Sequence, residues 1–150
     1  MNFSPAAGSR LEGRFREYES YHRHPMNERL HFVGVPMIVL GVLGLASFVE
    51  VAAVDGGLVL WALAAGYYTF SGRALGLAFS GLVFLFYLGA RELALSTLLA
   101  CFLVGWIIQA VGHYRYERRS PAFVKNLEHL LIWPLWLFWR LFRLAARQPR

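Results

Sequence analysis

The sequence has a single cysteine and none of the common nucleophile or nucleotide motifs, and each shortage excludes a class of protein. Cys101 lies in an apolar segment, which excludes a disulfide framework or a CxxC metal knuckle, and packing is its expected role. No GxSxG motif, phosphate-binding loop or dinucleotide fingerprint occurs. Internal repeats and low-complexity tracts are also absent. The chemistry of the chain, if it has any, must come from other residue types.

Charge is absent from four long segments, residues 32–49, 56–72, 74–90 and 93–112. Hydrophobic residues make up 57% of the 150 residues, and the mean hydropathy of +0.45 is above what a soluble domain of this size can bury. A helix of about twenty residues, at about 1.5 Å per residue, crosses the roughly 30 Å hydrocarbon core. A soluble bundle would need polar helix faces that these segments lack. We therefore predict one all-α membrane domain with about four transmembrane helices.

The 15 basic residues outnumber the 9 acidic ones, and their distribution predicts an orientation. Arginines precede the first segment, are missing from the loop with Glu50 and Asp55, and return after the second and fourth segments. Between the third and fourth segments, Arg91 lies beside Glu92. This alternation is typical of a protein with four spans and both termini in the cytoplasm. A bacterial inner membrane is the expected location. The first segment has no cleavage pattern, so we do not expect a removable signal peptide. Membrane lipids are expected partners and nucleic acid is not, because the arginines form no single face interleaved with aromatic residues.

A helix outside the spans is predicted at the N-terminal end. Residues 1–8 have no periodic pattern and are expected to be disordered. Ser9 and Glu12 have the spacing of a capping box, and Leu11, Phe15 and Tyr18 then follow at helical spacing. This amphipathic helix would lie in the membrane interface or pack on the ends of the spans.

A second helix outside the spans is predicted at the C-terminal end, in residues 127–144. Ser120 and Pro121 have the residue types of an N-cap and a first helical position. Pro134 lies in the middle of this tryptophan-rich stretch, which favours an interfacial or re-entrant helix over a fifth span. Within the spans, small residues such as Gly41 and Gly44 predict close helix packing.

Pro25 predicts a break between two histidines. Proline disfavours helical geometry in the preceding residue, His24, so a new helix is expected to begin at Pro25. A continuous helix would hold His22 and His31 about 13 Å apart, and the break lets them approach each other from two elements. Pro36, about one turn after His31, is expected to kink the first span and open room beside it.

Two polar clusters flank the spans. Asn27 and His31 lie four residues apart where the first span begins, and Gln109, His113 and Glu117 follow at steps of four where the last span ends. On a helix, such steps place side chains on one stripe. With both termini on one side, the two clusters meet at the same membrane face. Ionisable groups at membrane depth are costly and usually functional.

Grouped imidazoles and a carboxylate are a donor set for Zn²⁺, Fe(II), copper or nickel. The candidate ligands are four histidines: His22, His31, His113 and, within the C-terminal apolar stretch, His129. Asn27, Gln109 and Glu117 are candidates for fixing the imidazole tautomers, and Glu117 is alternatively a direct ligand. His24 is more typical of a helix cap. The alternative for every histidine is structural: an anchor, a cap or a hydrogen bond between helices.

Both polar clusters lie in segments that resemble one family. YHRHPMNERLHFVGVP, residues 21–36, and GWIIQAVGHYRYERRSPAF, residues 105–123, are similar to segments of the membrane 2-hydroxy fatty acid dioxygenases. This family includes a fungal enzyme of phytosphingosine breakdown and many bacterial relatives. Asn126, Leu127 and the apolar stretch with Pro134 also match. The two motifs cover about a quarter of the chain and occur in the same order on either side of the spans.

The resemblance implies an Fe(II)-dependent dioxygenase that uses O₂ to shorten a 2-hydroxy fatty acid by one carbon. It implies three iron ligands, His22, His31 and His113, and it also covers Asn27, Gln109, Glu117 and Pro121. His129 stands where the fungal form has a glutamine, and the loop between the third and fourth spans lacks a histidine of the fungal form.

In this interpretation the acyl tail of the substrate lies between the spans. Arg23, Arg115 or Arg118 would hold its carboxylate. The rival hypotheses are a non-catalytic membrane protein with structural polar clusters and a zinc-dependent lipid hydrolase that uses the same ligands. Metal content and O₂ uptake distinguish the three.

Overall fold

The computed structural model describes residues 9–121 and 128–146, and they form helices almost throughout. In chain order the elements are α1 Arg10–Tyr21, α2 Pro25–Ala46, β1 Glu50–Val51, β2 Val54–Asp55, α3 Gly56–Ser71, α4 Arg73–Arg91, α5 Leu95–Val111, a π-helical turn Gly112–Glu117 and α6 His129–Ala146. The two short strands pair as an antiparallel hairpin. The predicted all-α class is confirmed. Residues 1–8, expected to be disordered, and Phe123, Asn126 and Leu127 of the motifs lie outside the described residues.

Three of the described helices are long and apolar enough to cross a membrane. They are α2 with 22 residues, α4 with 19, and α5 continued through the π-helical turn to Glu117 with 23. Helix α3 has 16 residues, or about 24 Å of rise, and is therefore shorter than the hydrocarbon core. Its Leu63 and Phe70 are exposed to the surroundings of the protein, as lipid-facing side chains would be. A crossing by α3 stays a prediction.

Close contact between α2 and α5 depends on glycine. A side-chain carbon added at Gly41 would lie 2.8 Å from Cβ of Phe102, and one added at Gly105 would lie 2.7 Å from Cγ1 of Ile38. Both distances are below van der Waals contact, so a larger residue at either position would push the helices apart. The close packing predicted from the small residues is confirmed for this helix pair. Helix α2 carries His31, and α5 leads into the turn that carries His113.

Helix α1 packs on the rest of the protein at the end where α2 begins. Ser9 is its N-cap, and the Ser9 hydroxyl accepts a hydrogen bond of 3.2 Å from the backbone N–H of Glu12, as predicted. Leu11, Phe15 and Tyr18 form its buried face. Phe15 packs against Trp139 of α6, with ring centroids 5.1 Å apart.

The middle of helix α6 is buried in the protein. Its buried residues cover all sides of the helix and are Ile132, Trp133, Leu135, Trp136, Leu137, Phe138 and Trp139. Arg140 forms an ion pair with Glu28 at the start of α2, with Nε 2.7 Å from Oε1. Helix α6 and α1 therefore cover one end of the helix bundle. An interfacial or re-entrant position of α6 stays a prediction.

The sequence predicted that the last helix begins at Ser120 and Pro121, and the described residues do not show a helix there. Pro121 is buried but belongs to no helix, and α6 begins at His129. Residues 122–127, which follow Pro121, lie outside the described residues.

Candidate metal centre

His22 and His31 come together because the chain breaks between α1 and α2. His22 follows the last residue of α1, and His24 is the N-cap of α2, with Nδ1 accepting a hydrogen bond of 3.1 Å from the Met26 N–H. Pro25 is the first residue of α2, as predicted. The chain folds back at this point, and Nε2 of His22 lies 3.1 Å from Nε2 of His31. The same two residues would be about 13 Å apart on a continuous helix.

Both imidazoles are held by a carbonyl four residues earlier. Nδ1 of His22 lies 2.9 Å from the Tyr18 carbonyl oxygen, and Nδ1 of His31 lies 2.8 Å from that of Asn27. A carbonyl only accepts hydrogen bonds, so each Nδ1 must carry the proton and donate. In the neutral tautomer this leaves a bare lone pair on each Nε2. Two lone pairs therefore face each other at 3.1 Å, an arrangement that repels unless a cation lies between them.

His113 completes the group from the π-helical turn. Its ring centroid is 4.9 Å from that of His22 and 5.1 Å from that of His31. The three histidines each offer a nitrogen within 4.8 Å of the others. His113 is buried, and neither of its nitrogens has a hydrogen-bond partner among residues 9–121 and 128–146. Buried polar atoms are normally paired, so unpaired nitrogens that converge on one point indicate a ligand.

The surroundings of His22 favour a neutral ring. Burial lowers the pKa of His22 from 6.5 to about 4, the hydrogen bond with the Tyr18 carbonyl opposes this shift, and the nearby His113 adds to it. A neutral imidazole is the form that binds a metal. Tyr18 also stacks on the His22 ring with centroids 4.0 Å apart, and Trp133 contacts His31 edge to face at 5.4 Å. These rings form aromatic walls on two sides of the histidine group.

Three nitrogen donors at these positions fit a metal ion. Two nitrogens bound to one metal ion at about 2.1 Å, with an N–metal–N angle of about 90°, are about 3.0 Å apart. This separation is close to the distance between the two Nε2 atoms. The described residues contribute no carboxylate to the group. A set of three imidazoles suits Zn²⁺, Fe(II) and copper, so the donor set fits iron without selecting it.

Glu117 holds the two polar clusters together from outside the histidine group. Its Oε1 accepts hydrogen bonds from the backbone N–H of Arg23 and of His24, both 2.8 Å, and from Nδ2 of Asn27 at 3.1 Å. The carboxylate therefore fixes the break between α1 and α2 at the N-terminal end of α2, where a negative charge is favourable. These contacts join residues 90 or more positions apart and position His22 and His31 relative to His113.

Gln109 is buried one turn before His113, and its side chain lies against Gly34 of α2. Neither its amide nitrogen nor its amide oxygen has a hydrogen-bond partner in the described part of the chain. A role of the Gln109, Asn27 and Glu117 side chains in fixing the imidazole tautomers stays a prediction. The carbonyls of Tyr18 and Asn27, and no side-chain amide, contact Nδ1 of His22 and His31.

His129 lies outside the group of three. It is buried, its Nε2 is 3.3 Å from Oε1 of Glu17, and its ring lies 6.2 Å from Tyr18 and 5.9 Å from Tyr21 between centroids. The structure thus gives it a carboxylate partner of its own, and its ligand role stays a prediction. Three further residues, the candidates for holding a carboxylate, are all exposed: Arg23, Arg115 and Arg118.

Sequence reasoning did not identify Tyr18, Trp133 and Trp136 as walls of the site. Trp136 donates from Nε1 to Glu19 at 3.3 Å and lies 6.3 Å from His22 between ring centroids. The spacing of Tyr18, four residues before His22, was a usable signal, because it places both rings on one face of α1. The register of the α6 tryptophans could not be obtained in this way.

The comparisons with known proteins agree on one family. The family model described as Mpo1-like, 2-hydroxy-palmitic acid dioxygenase, matches residues 9–144. The 2-hydroxy-palmitic acid dioxygenase MPO1 of Saccharomyces cerevisiae is 30% identical over 139 residues, which is 89% of this chain and 80% of the yeast protein. No solved structure matches the chain significantly.

Proposed function

The chain belongs to the Mpo1-like 2-hydroxy-palmitic acid dioxygenase family, and we propose that it is an Fe(II)-dependent dioxygenase that cleaves 2-hydroxy fatty acids. The product is a fatty acid one carbon shorter. The observation that carries the proposal is the group of His22, His31 and His113, whose free nitrogens converge beside apolar walls. The yeast relative's name supplies the substrate class, and the three imidazoles supply the ligands.

The reaction balances without an external reductant. A 2-hydroxy acid, RCH(OH)COOH, and O₂ contain the atoms of RCOOH, CO₂ and H₂O. The bond between C1 and C2 breaks, the substrate loses four electrons, and O₂ accepts the same four. Bound Fe(II) would supply the activation of O₂ and a binding point for the carboxylate and 2-hydroxyl of the substrate.

The residues of this chain orient and shield the reacting groups. The carbonyls of Tyr18 and Asn27 hold the two imidazoles with Nε2 toward the centre. Glu117 keeps the break between α1 and α2 against the π-helical turn. Trp133 and Tyr18 exclude water on two sides. In this proposal Gln109 is available to bind a polar group of the substrate, because its buried amide has no partner among the described residues.

We place the enzyme in the inner membrane of a bacterium with both termini in the cytoplasm. A membrane location suits a substrate that partitions into lipid, and three helices have the required length and hydropathy. The arginines at the histidine end of the bundle support the orientation. The site then lies at the cytoplasmic face, where Arg23, Arg115 or Arg118 would attract the carboxylate.

The test is O₂ consumption by purified protein loaded with Fe(II) under anaerobic conditions. We expect one O₂ consumed and one shortened acid formed per 2-hydroxy acid, with no added reductant. The matching fatty acid without the 2-hydroxyl serves as a control and should give no product. Hydrolysis of a lipid by the zinc-loaded protein, independent of O₂, would contradict the proposal in favour of a hydrolase. Absence of both activities would favour a non-catalytic role.

A further inference from the structure

An apolar cavity of about 260 Å³ lies beside the histidine group, between α2, α3, α4, α5 and α6. Trp133 forms part of its wall, and the same ring contacts His31 edge to face at 5.4 Å between centroids. One side chain therefore separates the cavity from the candidate metal centre. Apart from the Tyr68 hydroxyl and the Trp ring N–H groups, the lining side chains are hydrocarbon.

The helices that carry the histidines also form the cavity. On α2 the lining residues Val35, Val39 and Val42 follow His31 by four, eight and eleven residues, so they lie on one stripe that begins at the histidine. That stripe extends about 16 Å along the helix axis. On α5, Trp106 lines the cavity seven residues before His113. The cavity thus extends from Trp133, beside the candidate metal centre, into the apolar middle of the protein, with Val42 far from the histidines.

A smaller cavity of about 70 Å³ continues the first one toward the outside of the bundle. Both cavities are lined by Val35, Val39 and Pro134, and the smaller one also reaches Pro36 and the exposed Leu141. Proline in α2 and in α6 interrupts the regular hydrogen bonding of each helix at this point. The path leads from a surface that would face lipid to the interior.

We propose that the larger cavity binds the acyl tail of the 2-hydroxy acid and that Val42 limits the length of the tail. This inference rests on the proposed function, which places the carboxylate and 2-hydroxyl at the histidines. The hydrocarbon lining favours an acyl chain, since each methylene that leaves water is stabilised there. Two lining residues are tryptophans, Trp106 and Trp133, so the tail passes close to two indole rings.

The first test changes the size of residue 42. Val42→Phe fills the far end of the cavity. We compare kcat/KM for a long acid with kcat/KM for an acid two methylenes shorter, and the variant should lower the ratio of the first to the second by about tenfold. Val42→Ala should shift the preference toward longer acids. Val33→Phe is the matched control, because Val33 is 54% exposed on the same helix and lines neither cavity. It should leave the ratio unchanged.

The second test measures binding without catalysis. A 2-hydroxy acid with bromine atoms on its tail should quench the tryptophan fluorescence of the metal-free protein in detergent, and the unbrominated acid should reverse the quenching. Trp106→Phe should reduce the quenched fraction. Three tryptophans that line neither cavity give the background: Trp61, Trp136 and Trp139. The quenching measurement shows whether the cavity binds the acyl tail even where a Val42 variant fails to fold.

The outcomes separate the two proposals. Quenching and a shifted length preference support the cavity as the tail site. Quenching without O₂ consumption also supports it, and contradicts the dioxygenase proposal. Consumption of O₂ with no quenching, and with the same length preference in both folded Val42 variants, would overturn the cavity assignment and leave the dioxygenase proposal in place.

Discussion

Polar groups lie at both ends of the helix bundle. At one end both carboxylate oxygens of Asp55 have partners, whereas at the other end the buried nitrogens of His113 and the amide of Gln109 have none among the described residues. Far from the histidines, Oδ1 of Asp55 accepts hydrogen bonds from the N–H groups of Gly57 and Leu58 at 2.7 and 3.1 Å. Its Oδ2 lies 3.2 Å from both the Tyr87 hydroxyl and Nε of Arg91. Asp55 is thus the N-cap of α3 and links α3 to α4. A polar group kept for structure has partners for its lone pairs.

The histidine end differs because several buried polar atoms there have no hydrogen-bond partner in the part of the chain that is described. Two Nε2 atoms face each other, and both His113 nitrogens and both polar atoms of Gln109 lack partners within the described ranges. Such an arrangement costs stability unless a ligand binds there. The comparison therefore predicts that variants of the two ends have opposite effects, on metal and activity at one end and on stability at the other.

The largest effect is expected from His113→Ala. Removing one of three imidazoles should abolish metal binding and activity, with a loss of at least about a hundredfold in metal affinity. The unfolding temperature of the metal-free protein should fall little, because no hydrogen bond of the side chain is lost among the described residues. Metal titration and thermal unfolding measure both. His129→Gln is the companion variant: retention of metal would support three ligands, and loss would make His129 a fourth.

The next largest effect is expected from Glu117→Ala. Glu117 lies outside the group of three histidines. Its loss frees the backbone N–H groups of Arg23 and His24 and loosens the break that positions His22. Metal affinity should fall about 10- to 100-fold, as for residues that support metal ligands. Glu117→Gln keeps an acceptor oxygen and should recover part of the affinity. Glu92→Ala, at an exposed residue after α4, should bind metal normally. Equal affinity in Glu117→Ala and Glu92→Ala would show that the contact does not position the ligands.

A smaller effect of the opposite kind is expected from Asp55→Ala. The variant removes the N-cap of α3 and leaves the Tyr87 hydroxyl without this acceptor, at a cost of about 1–2 kcal/mol in the free energy of unfolding. Metal affinity per folded molecule should stay the same. Denaturant unfolding in detergent measures the first quantity and metal titration the second. A weaker metal site in this variant would mean that the two ends are coupled.

The smallest effect is a pH dependence at the Asp55 end. Partial burial raises the pKa of Asp55, but hydrogen bonds, first from the Leu58 N–H, outweigh it and hold the pKa below 3.8. The pKa of Asp55 is therefore lower in the folded protein than in the unfolded chain. Ionised Asp55 stabilises the fold at a pH above its unfolded pKa, and this stabilisation is lost as the pH falls through its folded pKa. The metal-free protein should lose stability below about pH 4, and Asp55→Asn should lose less over that range. Parallel curves for the two proteins would exclude Asp55 as the cause.

Much of the histidine group was predictable from the sequence. The break at Pro25 follows from local chemistry, and the alternation of arginines predicts that His31 and His113 lie at the same end. The cap at Ser9 and the close packing at Gly41 also follow from residue type and spacing. These features depend on neighbours in sequence or on membrane topology, both of which a single sequence contains.

The parts that were missed depend on tertiary contacts. The sequence predicted an α-helical stripe through Gln109, His113 and Glu117, but the last two lie in a π-helical turn. A wider turn changes the register and aims Glu117 at the α1–α2 break, where it accepts three hydrogen bonds. Trp136 and Trp139 of α6 likewise pack against Tyr18 and Phe15 of α1, which lies over 100 residues away in sequence. No local pattern contains that information.

The most direct test of the account is the metal content of the protein after anaerobic purification, measured by mass spectrometry. We expect close to one iron per chain in the unaltered protein, and loss of that iron in His22→Ala, His31→Ala and His113→Ala while each variant remains folded. Absence of metal after Fe(II) is added back, or iron that stays bound in all three variants, would contradict a metal centre formed by these histidines.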